Sequence, residues 1–326
     1  MDTDFLIQSL SSIVAASTPL ILASIGETIS EKGGVINLSL DGSLALSAMA
    51  GFAVAFTTGS VILGFAAAMT IAALVALLIA FASITLRQEQ VAVGFVLTML
   101  CADLADFLGN PFVRQPGPSV PHWPIPILSD VPVLGPVLFD HNPIVYVSML
   151  SVVVVWWWIY KTQPGLKLQG VGERPESAFA RGVNVNRQRY LYTVIGGALV
   201  GLAGASYSLS IKLGWSHRHT AGIGWIALAI VIFGGWNPWR VMAGSYLFGL
   251  LKTLGSVLQR NPAFANVPTQ IFSSAPFALM IFALLLISSE GVDRLLTLLP
   301  KQLARRIDRA IRGRPPAGLG KPFVQK

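Results

Sequence analysis

The chain has 326 residues, of which 53% are hydrophobic and 12% are charged, and its formal net charge is +8. A soluble domain of this size would carry about a quarter charged residues, so a single core surrounded by water is excluded. The positive charge does not indicate nucleic-acid binding, because most of the 23 lysines and arginines lie in 161–190 and 291–326, between or after apolar runs. That distribution follows the positive-inside rule and predicts an all-α, polytopic membrane protein.

Apolar runs of about 18 residues or more predict helices that cross a membrane. About nine crossings are expected, with a range of eight to ten, because 220–236 is short and 26–42 has the composition of a re-entrant segment. The predicted spans are 5–25, 38–57, 61–86, 91–109, 143–160, 190–211, 220–236, 239–258 and 271–289. They define a transmembrane domain over 1–290, which a basic tail over 291–326 follows.

Two long connections differ in composition and therefore in expected location. The segment 110–142 is rich in proline, which removes backbone donors and breaks helices. Lipid cannot satisfy irregular backbone, so we expect this segment in water or at the interface. The loop 161–190 and the tail 291–326 are strongly basic and are both expected in the cytoplasm. Counting crossings backwards from them places 110–142 on the extracytoplasmic side.

Polar side chains alternate with apolar ones where the second span begins, at Asn37, Ser39, Asp41 and Ser43. Asp41 has two open interpretations. An ionisable residue near membrane depth is costly and suggests a functional role, whereas a carboxylate at a helix start can be held by backbone N–H groups. Glu27 and Glu31 are expected in a polar connection at the cytoplasmic interface rather than in a proton relay.

Two stretches have the pattern of broken helices, 26–52 and 219–249. In each, a glycine-interrupted segment leads into a helix that begins with small residues. A pair of such segments in the two halves of a transporter indicates the substrate site, so two pseudo-symmetric halves are a hypothesis for this chain. The predicted substrate path contains Asn37, Asp41, Gly222, Gly224 and Trp225.

Motifs for catalysis and for metal binding are missing from the sequence. It contains neither a G-x-x-x-x-G-K-[ST] phosphate loop nor an H-E-x-x-H zinc motif. His217 and His219 have no nearby carboxylate or thiol, which argues against a metal site. Gly197 and Gly201 have the small-xxx-small spacing of closely packed membrane helices. We therefore expect a chain that is not an enzyme and that binds no metal or cofactor itself.

The charged loop 161–190 contains the pattern of a short helix, with Pro175 in its first turn. This helix would have a small apolar face and a charged face, formed by Ala178, Phe179 and Gly182 and by Glu173, Glu176 and Arg181. A short helix parallel to the membrane suits docking onto a separate motor subunit. A solvated connector that only sets topology is the alternative, and the residue pattern leaves both open.

Four stretches carry a distinctive combination of motifs. They are GETISEKGGVINLSLDGSLALSAMAGF at 26–52, IPILSDVPVLGPVLF at 125–139, KTQPGLKLQGVGERPESAFARGVNVNRQRY at 161–190 and GIGWIALAIVIFGGWNPWRVMAGSYLFG at 222–249. In these stretches the chain resembles the inner-membrane permeases of ABC importers in the branched-chain amino acid, simple sugar and nucleoside superfamily. Its closest likeness is to the nucleoside or simple-sugar permease subunits. The resemblance implies that a small uncharged polar solute, a nucleoside or simple sugar, crosses the bacterial inner membrane through it.

The resemblance also implies partners. ATP and Mg would be bound by a separate cytoplasmic ABC ATPase. The chain would pair with a second homologous permease subunit and receive substrate from an extracytoplasmic substrate-binding protein. Membrane lipid would surround it, and no nucleic acid is expected. By their position in the family's coupling segment, the residues expected to contact the ATPase are Gly172, Glu173, Pro175, Ala178 and Gly182.

An ion-coupled secondary transporter without an ATPase is the alternative function. It would need an intramembrane acid or base coupled to transport, and Asp41 and Asp103 are the candidates. The chain also departs from the family's usual pattern at Ile223, because a basic residue is usual between the glycines corresponding to Gly222 and Gly224.

Overall fold

The computed structural model describes residues 3–259 and 313–324, together with the isolated positions 268, 271, 274 and 278. Within these residues the regular elements are helices, apart from one isolated β-bridge between Val113 and Trp215. The α-helices are α1 (Thr3–Lys32), α2 (Leu40–Thr58), α3 (Val61–Ala80), α4 (Gln90–Gly109), α5 (Pro143–Lys161), α6 (Gln163–Glu173), α7 (Pro175–Ala180), α8 (Val185–Ser206), α9 (Ile223–Phe233) and α10 (Pro238–Gln259).

Three π-helical turns and one 3₁₀ turn accompany the α-helices. The π-helical turn Phe81–Thr85 extends α3, and Tyr207–Ile211 extends α8. The third, Gly135–Phe139, and the 3₁₀ turn Asn110–Phe112 lie in the proline-rich segment. Each of the two extending turns follows its α-helix directly, so the apolar spans run over Val61–Thr85 and Val185–Ile211.

Seven of the described helices are long and apolar enough to cross a membrane. They are Asp4–Lys32, Leu40–Thr58, Val61–Thr85, Gln90–Phe112, Pro143–Lys161, Val185–Ile211 and Pro238–Gln259. The helix α9 is apolar but has only 11 residues, so it reaches about half of the ~30 Å hydrocarbon thickness. The predicted span 271–289 lies outside the continuously described residues. The prediction of a polytopic all-α membrane protein is confirmed.

The first helix is longer than predicted. The polar sequence Gly26–Lys32 continues α1 without a break, so 26–42 is not a re-entrant segment, and the irregular connection shrinks to 33–39. Several of its polar side chains have hydrogen-bond partners inside the helix bundle. Thr28 Oγ1 donates to the carbonyl of Ser24 at 2.7 Å, for example. Internal partners of this kind make a polar helical turn compatible with a lipid-embedded bundle.

The centre of the bundle is α8, which packs against α1, α2 and α3 through small residues. A Cβ atom added at Gly26 would lie 2.5 Å from the carbonyl oxygen of Gly196, and one added at Gly196 would lie equally close to that of Gly26. At Gly201 an added Cβ would lie 2.3 Å from the carbonyl oxygen of Ala68 on α3. The packing role predicted for the glycines of α8 is confirmed, because their backbones touch those of neighbouring helices.

The proline-rich segment 110–142 is irregular, as predicted, and folds onto the end of the bundle where α8 finishes. Val120 N–H donates to the carbonyl of Leu209 at 2.9 Å, and Arg114 N–H donates to that of Trp215 at 3.1 Å. The loop 161–190 lies at the opposite end, where α8 begins. The two segments therefore occupy opposite ends of the bundle, which agrees with the crossing count.

The loop 161–190 is mostly helical. The short helix predicted at Pro175 is confirmed as α7, with the proline in its first turn. The preceding helix, α6, was not predicted. It begins at Thr162, whose Oγ1 accepts a hydrogen bond from Gly165 N–H at 3.3 Å, and it buries Leu168 and Val171 against the bundle. The sequence of α6 contains three glycines and one proline, which disfavour helices on average, so no helix was predicted there.

Replacing one buried glycine tests this packing. In Gly201→Ala the new methyl would overlap the α3 backbone, so we expect the free energy of unfolding to fall by about 1–3 kcal/mol. The matched control is Gly170→Ala on α6, where an added Cβ meets nothing within 4 Å. The control should keep or raise stability by up to ~1 kcal/mol, since alanine is the better helix former. Thermal unfolding in detergent measures both, and equal melting temperatures would contradict the packing.

Candidate functional site

The two predicted broken segments meet at the start of α9. Asp41, in the first turn of α2, accepts hydrogen bonds from two backbone N–H groups there: its Oδ1 lies 2.8 Å from Gly224 N and its Oδ2 lies 3.3 Å from Gly222 N. A carboxylate is favoured at this place because a helix N-terminus has unpaired N–H groups and a partial positive charge. Of the two interpretations left open for Asp41, the structure shows helix capping, and the capped helix is α9 rather than its own.

Both glycines of this contact are sterically required. Gly222 has φ +84°, a left-handed conformation that glycine adopts without strain. At Gly224 an added Cβ would lie 2.3 Å from the Cα of Asp41. The start of α9 therefore lies directly against the start of α2, and a side chain at position 224 would separate them.

Asn37 builds the turn that precedes α2. Its side chain is 1% exposed, and its Oδ1 accepts hydrogen bonds from Ser39 N–H at 3.1 Å and Ser39 Oγ–H at 2.6 Å. The Ser39 hydroxyl also lies 2.9 Å from that of Ser43. These bonds replace the backbone pairing that the helix break removes, and they set the direction in which α2 begins.

Trp225 lies one position beyond the capped glycine and points toward α4. It is half-buried, and its ring centroid lies 5.4 Å from that of Phe95. Of the five residues predicted for the substrate path, Asp41, Gly222 and Gly224 are thus in direct contact. Asn37 shapes the adjoining turn, and Trp225 packs beside it. Their contact with substrate stays a prediction.

Two carboxylates are buried inside the bundle, which the sequence did not predict. Glu27 and Glu31 were expected at the cytoplasmic interface, but they are only 1% and 4% exposed, inside the bundle. Glu27 Oε1 accepts a hydrogen bond from Asn37 N–H at 2.9 Å, and Glu31 Oε2 accepts one from the indole N–H of Trp236. Both carboxylates accept hydrogen bonds from donors at helix breaks, Glu27 at the break after α1 and Glu31 at the break after α9. These partners make their burial possible. Their i, i+4 spacing beside a glycine-rich break was the available signal.

A polar loop, 212–222, covers the end of the bundle where α8 finishes. His219 is buried there and its Nδ1 lies 3.1 Å from the hydroxyl of Ser216, whereas His217 lies 3.6 Å from Asp106. Burial, followed by the charge of Lys212, lowers the pKa of His219 to about 4, so its imidazole is neutral at pH 7. The two histidines therefore face different partners. The loop, α1 and α10 enclose a cavity of about 420 Å³.

The five residues predicted to contact an ATPase separate into two groups. Gly172, Pro175 and Ala178 are buried, whereas Glu173 and Gly182 are exposed. An added Cβ at Gly172 would lie 2.1 Å from the carbonyl oxygen of Lys32, so the end of α6 lies against the end of α1. The buried residues therefore pack beneath α7 in the single chain, and the contact of all five with an ATPase stays a prediction.

The solvent side of α7 consists of other residues. Glu176, Ser177 and Arg181 are exposed in addition to Glu173 and Gly182. Gly182 has φ +82° and ends the helix, and the N–H of Val183 returns to the carbonyl of Ala178 at 3.1 Å. This is the usual left-handed glycine termination. The result is a short, rigidly held helix that projects from the end of the bundle.

Residues 9–287 match the family described as branched-chain amino acid transport system / permease component. The chain belongs to this family. Because the match includes most of α1 and all of α2–α10, the helix breaks and the loop 161–190 lie within the family's shared region. The resemblance inferred from the sequence motifs is thereby confirmed, and the chain is a multi-pass membrane permease, which is a transport component.

Curated relatives identify the class of transporter more closely than the family description does. The chain is 40% identical over 249 residues to the putative glucose ABC transporter permease protein TsgC13 of Haloferax volcanii, which covers 75% of this chain and 76% of the relative. It is 32% identical over 287 residues to the nucleoside ABC transporter permease protein NupC of Lactococcus lactis subsp. cremoris, covering 85% of this chain and 90% of the relative. The guanosine ABC transporter permease protein NupQ of Bacillus subtilis is 32% identical, with coverages of 86% and 92%. These relatives show a permease subunit of the ABC transporter class. No solved structure matches the chain.

Substituting Asp41 tests the contact between the two helix breaks. In Asp41→Ala, two N–H groups at the start of α9 lose their acceptor, which should cost about 1–3 kcal/mol of stability. Asp41→Asn retains one side-chain oxygen and should give an intermediate loss. The exposed Asp103→Ala is the control and should leave the melting temperature in detergent unchanged. If Asp41→Ala and Asp103→Ala have the same melting temperature, the hydrogen bonds from the start of α9 to Asp41 do not stabilise the bundle.

Proposed function

We propose that the chain is the transmembrane permease subunit of an ABC importer for a nucleoside or a simple sugar. The observation that carries this proposal is α7, a short helix that projects from the bundle on a buried base in a chain of the permease family. The printed names of the relatives, which refer to glucose, nucleosides and guanosine, support the substrate class.

The exposed side of α7 is the proposed contact with a separate ATPase that binds ATP and Mg. Glu176, Ser177 and Arg181 would face the partner, while Pro175 and Ala178 hold the helix. A six-residue helix has little stability of its own, so its geometry depends on this base. A helix held in this way moves together with the end of α6, and α6 touches α1 through Gly172. Movement of the ATPase would therefore reach the transmembrane helices.

Substrate would pass beside the contact between α2 and α9. Among the five predicted path residues only Asp41 is ionisable, and its carboxylate is already held by two backbone N–H groups. Such a wall suits an uncharged, polar-faced solute. ATP-driven transport requires that the affinity of the site differ between two states of the permease. The breaks at 33–39 and 234–237 are where the helices can change direction.

The remaining partners follow from the same proposal. The chain also matches the permeases NupB of L. lactis and NupP of B. subtilis, at 25% and 26% identity over 139 residues. These proteins come from the organisms of two relatives described above, which supports pairing with a second, homologous permease. A binding protein would deliver substrate at the 110–142 end, and the α7 end, with the tail, would face the cytoplasm of a bacterial cell.

Reconstitution tests the function. The chain, its paired permease, the candidate ATPase and the binding protein are placed in liposomes, and ATP hydrolysis and uptake are measured with nucleosides, pentoses and hexoses. We expect one solute class to stimulate hydrolysis and to accumulate only when ATP is present. Uptake that persists without the ATPase and follows an ion gradient would contradict the proposal and favour an ion-coupled carrier.

A charge reversal on α7 tests the docking surface. Glu176→Lys should weaken association with the ATPase by about thirtyfold or more, since disrupting one desolvated interfacial charge costs about 2–5 kcal/mol. Asp130→Lys is the matched control, because it makes the same charge change at an exposed position at the other end of the bundle. Co-purification and binding kinetics in detergent measure the effect. Equal affinities for the two variants would show that α7 is not the docking site.

A further inference from the structure

The segment 313–324, here called the C-terminal strap, lies across the same end of the bundle as α7. Its first residue, Gly313, touches the turn after α9, since an added Cβ there would lie 2.0 Å from the Cα of Gly235. Further on, Gly318 N–H donates to the carbonyl of Gly172 at 2.8 Å, and Gly320 N–H donates to that of Gly34 at 3.1 Å. The strap therefore touches both helix breaks and the base of the coupling helix.

Phe323 of the strap covers the apolar base of α7. Its side chain is 7% exposed and packs with the buried residues Val171, Ala178 and Val185. Its ring centroid lies 5.9 Å from that of Phe179. Because α7 is too short to be stable alone, each residue of this base matters to its position, and the strap supplies the largest buried side chain among them.

Arg189 anchors the strap. It lies near the start of α8 and is 2% exposed. Its Nη1 donates to the carbonyl of Lys321 at 2.9 Å, and its Nη2 donates to that of Gly318 at 3.4 Å. A planar guanidinium can hold two backbone carbonyls in fixed directions, which a lysine ammonium does less well. The buried cation therefore joins the strap to the central helix of the bundle.

We propose that the C-terminal strap, anchored by Arg189, positions α7 and links its movement to the helix breaks at 33–39 and 234–237. The inference rests on the proposed function, in which α7 receives the movement of an ATPase. The strap transmits that movement and is not itself the docking surface. Its contacts with Gly34, Gly172 and Gly235 give the coupling helix a second route into the bundle, in addition to the chain connection through α6.

Hydrogen exchange on the isolated permease tests the positioning role without any ATPase. Phe323→Ala should increase the exchange rate of the amides of 175–185, because the base of α7 loses its aromatic cover. Val324→Ala is the matched control, since Val324 is adjacent and 48% exposed. Phe323→Leu should restore slow exchange. Equal exchange in Phe323→Ala and Val324→Ala would overturn the positioning role.

Transport per ATP hydrolysed tests the coupling role in the reconstituted importer. Deletion of 313–326 and Arg189→Met should each lower transport per ATP by about tenfold, a typical size for a coupling effect, when the ATPase is added at a concentration that saturates binding. Arg189→Lys should recover part of the loss. A variant that combines the deletion of 313–326 with Arg189→Met should lose no more transport per ATP than the deletion alone. The effects of residues that act as a unit do not add.

Three outcomes would overturn the coupling role. Unchanged transport per ATP would make the strap a packing element only. Tighter ATPase binding after the deletion would make it a cover over the docking surface, and lost binding without faster amide exchange in 175–185 would make it the docking surface itself. Different measurements separate a failure of the proposed function from a failure of the strap proposal. Glu176→Lys tests docking through the ATPase affinity, whereas the strap variants test positioning and coupling through amide exchange and transport per ATP.

Discussion

A broken helix inside a membrane bundle has backbone groups that lipid cannot satisfy, and this constraint explains most of the structure around the candidate site. The break after α1 and the start of α9 expose N–H groups within the bundle. Asp41 accepts from two of them and Glu27 accepts from a third. A protein that needs irregular backbone at this depth must provide buried acceptors, and here they are carboxylates. The acidic residues of the bundle are therefore structural partners of the breaks.

The close approach of the helices makes these partnerships possible. Glycine on α8 lets α1 and α3 come into backbone contact, and Gly224 does the same for α2 and α9. With larger residues, the carboxylate of Asp41 would lie too far from the α9 N-terminus to hold it. Small residues thus serve packing and polar satisfaction together, which is how a bundle without a hydrophobic driving force between its helices obtains a defined geometry.

The end of the molecule that carries α7 is stabilised differently, since water can solvate its backbone. There, α7 is held by a small apolar base, by the glycine ending at Gly182 and by the strap. Its exposed side is free for a partner, and its buried side is continuous with the helix breaks. A proposed docking surface and a proposed substrate path are thereby connected through packed residues rather than through a long flexible loop.

The amino-acid sequence by itself determined the class of the protein. Apolar runs and the charge distribution predicted a polytopic membrane protein, and the motifs of four stretches carried the resemblance to a permease family. Pro175 predicted α7, and Gly197 and Gly201 predicted helix packing, because these signals depend on local conformation and on composition. The length of α1 and the presence of α6 were misjudged, since polar or glycine-containing turns become helical only when neighbouring helices satisfy and cover them.

Tertiary structure alone decided which distant residues meet. Asp41 and Gly224 are separated by 183 positions, and Arg189 and Lys321 by 132. No periodicity in either segment encodes those pairs. The sequence left Asp41 with two interpretations, and it described 291–326 only as a basic tail. The structure resolved the first and gave part of the second a location, because a hydrogen bond depends on the position of both atoms in space, whereas a sequence pattern describes the neighbourhood of one.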